Sequence, residues 1–216
     1  MNTSAFHSTL SDAVKVPIVD FNTFKVINKN SKKKIDVLIS SIAHVQQCKD
    51  YMHVLFENNK KLDVYFNGDY IKYKRNGAIA SKGGLSKEIS IDRGHVLLLI
   101  EGNPIWMERF IAICWDIVHN KMPVSYHGWV ANVMDGSGSV ITATELGIPV
   151  NFHPDNIEWC LAYDNGYHGY MIRELKNRTG HVYRFSALDK NLNHIFQMSN
   201  NKDLKIYCIK HLIRVK

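Results

Sequence analysis

Val130-Ala131-Asn132-Val133-Met134-Asp135-Gly136, followed further on by Asn156-Ile157-Glu158-Trp159-Cys160 and then Asp164-Asn165, is the stretch whose reading decides the fold. Its first block closes an apolar run, VSYHGWVANVMDG, that ends in a tight Asp135-Gly136 turn. In the second block Asp155 and Glu158 stand at capping-box spacing behind Pro154, the pattern of a helix start. Asparagine at 156 is itself a favoured N-cap residue. Asn165 before Gly166 suits the end of a helix.

Upstream of this stretch the periodicity is helical. In MERFIAICWDIVH, residues Phe110, Ile113, Cys114, Ile117 and Val118 recur on one face, and Lys121-Met122-Pro123 stops the run. HVLLLI at His95–Ile100 reads as a strand. YIKYKRNGAIAS, from Tyr70, reads as strand, Asn76-Gly77 turn and strand, followed by a glycine-rich loop at Ser81–Gly84. Leu62–Lys74 alternates around Asn67-Gly68-Asp69, a hairpin signal. Asn28–Lys34 (NKNSKKK) is a basic loop, Ile35–Ile42 is apolar and β-branched, and the segment from Ala43 to Lys61 mixes helical and strand signals. Downstream, GHVYRFSALDKNLNHIFQM predicts a hairpin turning near Asp189–Asn191, and KIYCIKHLIRVK a basic strand or short helix. The expected class is α+β, divided into an N-terminal α+β unit (1–68), a central domain (69–175) and a basic, β-rich tail (176–216).

A chain of 216 residues can bury a real core. Its 45% hydrophobic and 22% charged residues are ordinary for a globular protein. No apolar run approaches the roughly 20 residues of a bilayer span. The first residues lack the basic-then-apolar pattern of a secretory signal, so a cytoplasmic protein is expected. The four cysteines, Cys48, Cys114, Cys160 and Cys208, are too scattered for a zinc ribbon and read as buried thiols. A net charge of +7 raises the prior for a polyanionic partner.

The pieces between Asn76 and Asn165 resemble, in order, the HNH homing endonucleases of phages. Asn76–Ser81 is similar to their N-x-G-x-V-x-S segment, shortened, and Arg93-Gly94-His95-Val96 to G-Y-x-x-V. Glu108–Ala112 resembles H-R-L-V-A, Val130–Gly136 resembles V-V-N-H-I-D-G, Asn156–Cys160 resembles N-L-E-W-C, and Asp164-Asn165 resembles E-N. Asn156 and Asn165 are nine positions apart, the family's own spacing. The likeness covers somewhat under half of the chain.

The resemblance implies a β-hairpin packed on a helix (the ββα-metal motif), flanked by small β-rich units. It implies Asn132 and Asn165 as ligands of magnesium or manganese, and Asn156 as the residue that holds the motif's loop. In that chemistry a metal polarises the scissile phosphate while a histidine takes the proton of the attacking water. Val133 stands on the histidine position, and an aliphatic side chain cannot accept a proton. The metal too is therefore open to loss. His127 is an alternative base in another register, with V-N-H read onto Val124–His127, and His153 and His168 lie nearby. The segment from Gly136 to Asn151 is longer than the family's loop, which makes the geometry at Asn132 the least secure.

Trp159 is expected as a core anchor beside the motif. The basic clusters Lys32–Lys34, Lys60-Lys61, Lys72–Arg75 and Lys205–Lys216 interleave with Tyr70, Tyr73, Tyr183 and Tyr207. Lys72, Lys74, Arg75, Arg184 and Lys210 are the candidates for phosphate contact. Three functions follow as expectations. The first is a duplex-DNA-binding protein on an impaired nuclease scaffold, encoded by a phage or mobile element and acting in the host cytoplasm. The second is an active metal-dependent endonuclease with a relocated histidine. The third is a phage effector that binds a host protein.

Overall fold

The computed structural model describes residues 18–19, 37–85, 91–92, 94–123, 129–187 and 213–215. In chain order the elements are β1 (Ile18–Val19), β2 (Ile42–Gln47), β3 (Tyr51–Phe56), β4 (Lys61–Tyr65), β5 (Asp69–Tyr73), β6 (Ile79–Gly84), β7 (Ile91–Asp92), β8 (His95–Ile100) and β9 (Asn103–Trp106). Then come α1 (Met107–His119), β10 (Met122–Pro123), β11 (Trp129–Val133), α2 (Val140–Leu146), β12 (Ile157–Leu161), α3 (Ala162–Thr179), β13 (Tyr183–Arg184) and β14 (Ile213–Arg214). The class is mixed α+β with antiparallel sheets.

β2 to β6 form one five-stranded meander. In β3 every second residue is buried (Met52, Val54, Phe56), the period-two signature of a sheet with one face on a core. Asn67-Gly68 turns the β4–β5 hairpin as its sequence required, with Gly68 at φ 95°, and Gly77 turns β5 into β6 at φ 82°. The expected division at 68/69 falls in the turn between β4 and β5, two strands that pair directly. The division at 175/176 falls within α3.

α1 is the central helix. Its buried side chains Met107, Phe110, Ile111, Ile113 and Cys114 join one core with the meander's inner face, with Val96, Leu98 and Ile100 of β8, and with Val133. Asn120 ends it in a left-handed turn at φ 53°. A second, smaller core lies on the far side of the β11–β12 hairpin, where Cys160, Leu146, Met171, Ile172, Val182 and Phe185 meet. The hairpin is thus sandwiched between α1 and α3.

Three local expectations are corrected, the first being the glycine-rich loop expected at Ser81–Gly84, which is the end of β6 and pairs with β5. Residues Pro154–Asn156 make a single 3-10 turn and Ile157–Leu161 a strand, so the helix begins at Ala162 and not at the Asp155/Glu158 capping box. Pairing with β11 overrides the local signal, as tertiary context commonly does. Asn165 accordingly sits in the first turn of α3, whose C-cap is Gly180. The hairpin expected near Asp189–Asn191 lies outside the described residues.

Candidate functional site

β11 and β12 pair in register from Trp129–Leu161 to Val133–Ile157. Successive side chains on a strand point to opposite faces, and here the two faces do different work. Val133, Ile157 and Trp159 turn toward the α1 core, while Val130 and Cys160 turn toward the α3 core. Asn132 and Glu158, directly opposite each other, share the α3 side.

Asn132 is 2% exposed, and its Nδ2 donates to Oε1 of Glu158 at 2.8 Å. The same oxygen accepts from the Ala187 backbone N–H at 2.6 Å, and Oε2 is bonded to the Ser186 hydroxyl. Burial pushes the Glu158 carboxyl above its ordinary range, and these hydrogen bonds oppose the shift. Because its amide nitrogen is committed to Glu158, the group Asn132 can offer a ligand is its carbonyl oxygen.

The long connection from β11 to β12 is tied by side-chain bonds. Asp135 Oδ1 accepts from both N–H and O–H of Ser137 (2.9 and 2.6 Å), and the Ser137 hydroxyl accepts from Asn151 N at 3.0 Å. Asn156 Nδ2 donates to the Asn151 carbonyl at 2.9 Å, and the Asn156 carbonyl accepts from Met134 N at 2.8 Å. Asn156 therefore joins the two ends of the loop. Within it, the segment read as an insertion folds into α2, capped by Ser139 and by Gly147 at φ 71°. Trp159 Nε1 donates to Asp116 Oδ2 at 2.8 Å and fixes the hairpin to α1.

Asn132 and Asn165 come together. Both line one cleft of about 200 Å³, together with Val133, Ser139 and Thr142 at the start of α2, the buried His168, and Gly166, Gly169 and the exposed Arg173 at its α3 rim. Arg173 is braced at that rim by Glu145 (3.1 Å) and the Thr142 hydroxyl (3.0 Å). Val133 is 5% exposed. A Cβ on Gly138 would come within 2.8 Å of the Val133 methyl, so the valine is held closely on the loop side too.

Of the histidines named from sequence, His127 lies outside the described residues. His153 caps the 3-10 turn by accepting from Asp155 N at 3.3 Å. His168 is buried and its Nε2 donates to the Phe185 carbonyl at 2.8 Å. Desolvation pushes its pKa down to about 4, so at neutral pH it is an uncharged strut. A fourth histidine is not marked out by the sequence. His95, on β8, lines the same cleft with its Nδ1 2.7 Å from Oε1 of Glu108 and its ring stacked on Trp106 at 4.2 Å. The Glu108 carboxylate is buried, and its Oε2 has no hydrogen-bond partner among the described residues. β8, a turn and β9 separate His95 from Glu108 in sequence, so their meeting was not legible there.

The donor set fits a resident metal poorly. Asn132 and Asn165 provide two neutral amide oxygens, and no cluster of three or more His, Cys, Asp or Glu side chains suited to a metal occurs among the described residues. A hard divalent cation normally draws on at least one carboxylate.

The basic candidates separate. Lys72, Lys74 and Arg75 gather at one groove with Lys60 and Lys61. Arg184 does not join them, since its guanidinium donates to the Asp155 carbonyl and ties β13 to the 3-10 turn. Lys210 lies outside the described residues. No helix among the described residues is long and apolar enough to cross a membrane. No protein-family model matches this chain, and no curated protein or solved structure shows significant similarity to it.

Proposed function

We propose that this chain is a duplex-DNA-binding protein built on a degenerate HNH homing-endonuclease scaffold, encoded by a phage or mobile element and impaired in catalysis. The observation that carries the reading is the order strand, loop, strand, helix, with Asn132 and Asn165 brought to one cleft and Val133 turned into the core beneath it. The side chain at position 133 has no group to take a proton, and loss of a general base costs about 10² to 10⁴ in rate. The net charge of +7 favours a phosphate-bearing partner.

Fluorescence anisotropy with a labelled duplex tests this. Binding should weaken steeply as salt rises from about 50 to 200 mM, because bound lysines and arginines release counterions. Absence of binding at low salt refutes the reading.

One observation favours a second reading, a residually active endonuclease. His95 lines the cleft with its Nδ1 2.7 Å from the buried Glu108 carboxylate, a histidine–carboxylate pair suited to taking a proton from water. The water oxygen would bond to phosphorus as the P–O bond to the leaving sugar oxygen breaks. Plasmid nicking in magnesium or manganese that disappears in His95→Ala but persists in His127→Ala would establish this form. Nicking lost in His127→Ala would return the role to the residue named from sequence. Activity gained in Val133→His would mark the cleft as a decayed active site.

A further inference from the structure

A larger concavity than the cleft lies at the opposite end of β8, where three hairpin turns converge: residues 57–60 between β3 and β4, 74–78 between β5 and β6, and 101–102 between β8 and β9. The groove has a volume of about 760 Å³. Among the described residues it is lined by Lys60, Lys61, Lys72, Lys74 and Arg75 against a single acid, Glu101. Tyr73 and Leu99 supply apolar lining at its floor, and Leu62 lies buried beneath.

The cations are not equivalent. Lys72 is half-buried and donates to the Leu99 carbonyl at 2.8 Å, which makes it a strut between the meander and β8. Lys60 is 3.2 Å from Glu101. The side chains of Lys61 and Lys74 have no hydrogen-bond or ion-pair partner among the described residues. Leu99, which lines the same groove, is 55% exposed, an apolar side chain presented to solvent.

We propose that this groove binds single-stranded nucleic acid, with Lys61, Lys74 and Arg75 on the phosphates and base faces laid against Leu99 and the floor. The occupant has to supply negative charge and apolar surface together. A duplex keeps its base faces stacked inside and presents phosphates alone, whereas a single strand presents both, and sites for it combine a basic track with apolar or aromatic platforms. The strand β8 spans roughly 17 Å at about 3.3 Å per residue, so groove and cleft are distinct sites joined by one rigid element. The inference stands apart from the nuclease-scaffold reading, since it uses none of that cleft's residues.

The test is anisotropy of labelled oligo(dT) and oligo(U) on the full chain, with heparin as a polyanion that lacks bases. Either oligonucleotide should bind, the stronger one naming the natural source. The double variant Lys61→Ala/Lys74→Ala should reduce the magnitude of the log–log salt slope by about 1.4, at about 0.7 for each phosphate no longer neutralised. Leu99→Ser should weaken oligonucleotide binding severalfold while leaving heparin binding unchanged. Asn165→Ala should leave oligonucleotide binding intact, which separates this site from the cleft. No oligonucleotide binding, or a Leu99→Ser variant indistinguishable from the parent, overturns the proposal.

Discussion

At the scale of single residues, Glu158 decides more than its place in a familiar-looking string suggests. One half-buried carboxylate receives Asn132, the Ala187 N–H and the Ser186 hydroxyl, and so joins both hairpin strands to the segment after α3. Glu158→Ala leaves several buried donors without an acceptor, each costing about 1 to 3 kcal/mol. Urea unfolding of that variant should show a loss of at least about 2 kcal/mol, and an unchanged midpoint would mean the network contributes nothing. His168 adds a pH dependence. Its folded pKa, pushed down to about 4 by burial, lies below the ordinary value of 6.5. Between those values the unfolded chain binds a proton that the folded chain refuses, so stability falls as pH drops from 6.5 through 4. The full effect is on the order of 3 kcal/mol. In His168→Gln the stability-against-pH curve should be flatter across that window, as read by denaturant midpoints at a series of pH values.

At the scale of elements, the hairpin depends on how tightly its loop closes over Val133. Gly138→Ala brings a methyl against the valine and should destabilise by about 1 to 3 kcal/mol, as overpacking does. Val133→Ala should relieve that cost, and thermal unfolding of the two single variants and the double measures the coupling. Trp159→Phe removes the bond to Asp116 that holds β12 on α1, and should cost about 1 kcal/mol or more in the same assay. The elements also differ in how legible they are in the sequence. α1 announces itself because Phe110, Ile113 and Ile117 repeat at helical spacing, and the β4–β5 hairpin because Asn67-Gly68 permits the backbone its turn needs. β12 does not. Its Asp155/Glu158 pattern mimics a helix cap, and only the partner strand, distant in sequence, makes Ile157–Leu161 extended. α2 is hidden in a stretch that reads as an insertion, although Ser139 and Gly147 bracket it as caps.

At the scale of the whole molecule, α1 unites the meander, the β8–β9 hairpin and the β11–β12 hairpin around one core, and this brings together residues that the sequence keeps apart. Asn132 and Asn165, paired in the sequence only by the resemblance, line one cleft. The meeting of His95 with Glu108 was not expected, because it depends on β8 and α1 packing side by side. The basic clusters are visible as composition, but their sorting is not. Lys72, Lys74 and Arg75 share a groove, while Arg184 is spent inside the fold.

The central claim, a scaffold that holds duplex DNA without cutting it, is tested most directly by incubating supercoiled plasmid with excess protein in magnesium or manganese. The sample is then run on a gel both before and after protein is stripped away. The account predicts retarded plasmid before stripping and intact supercoils after it. Plasmid that migrates unshifted, or that emerges nicked or linear, contradicts it.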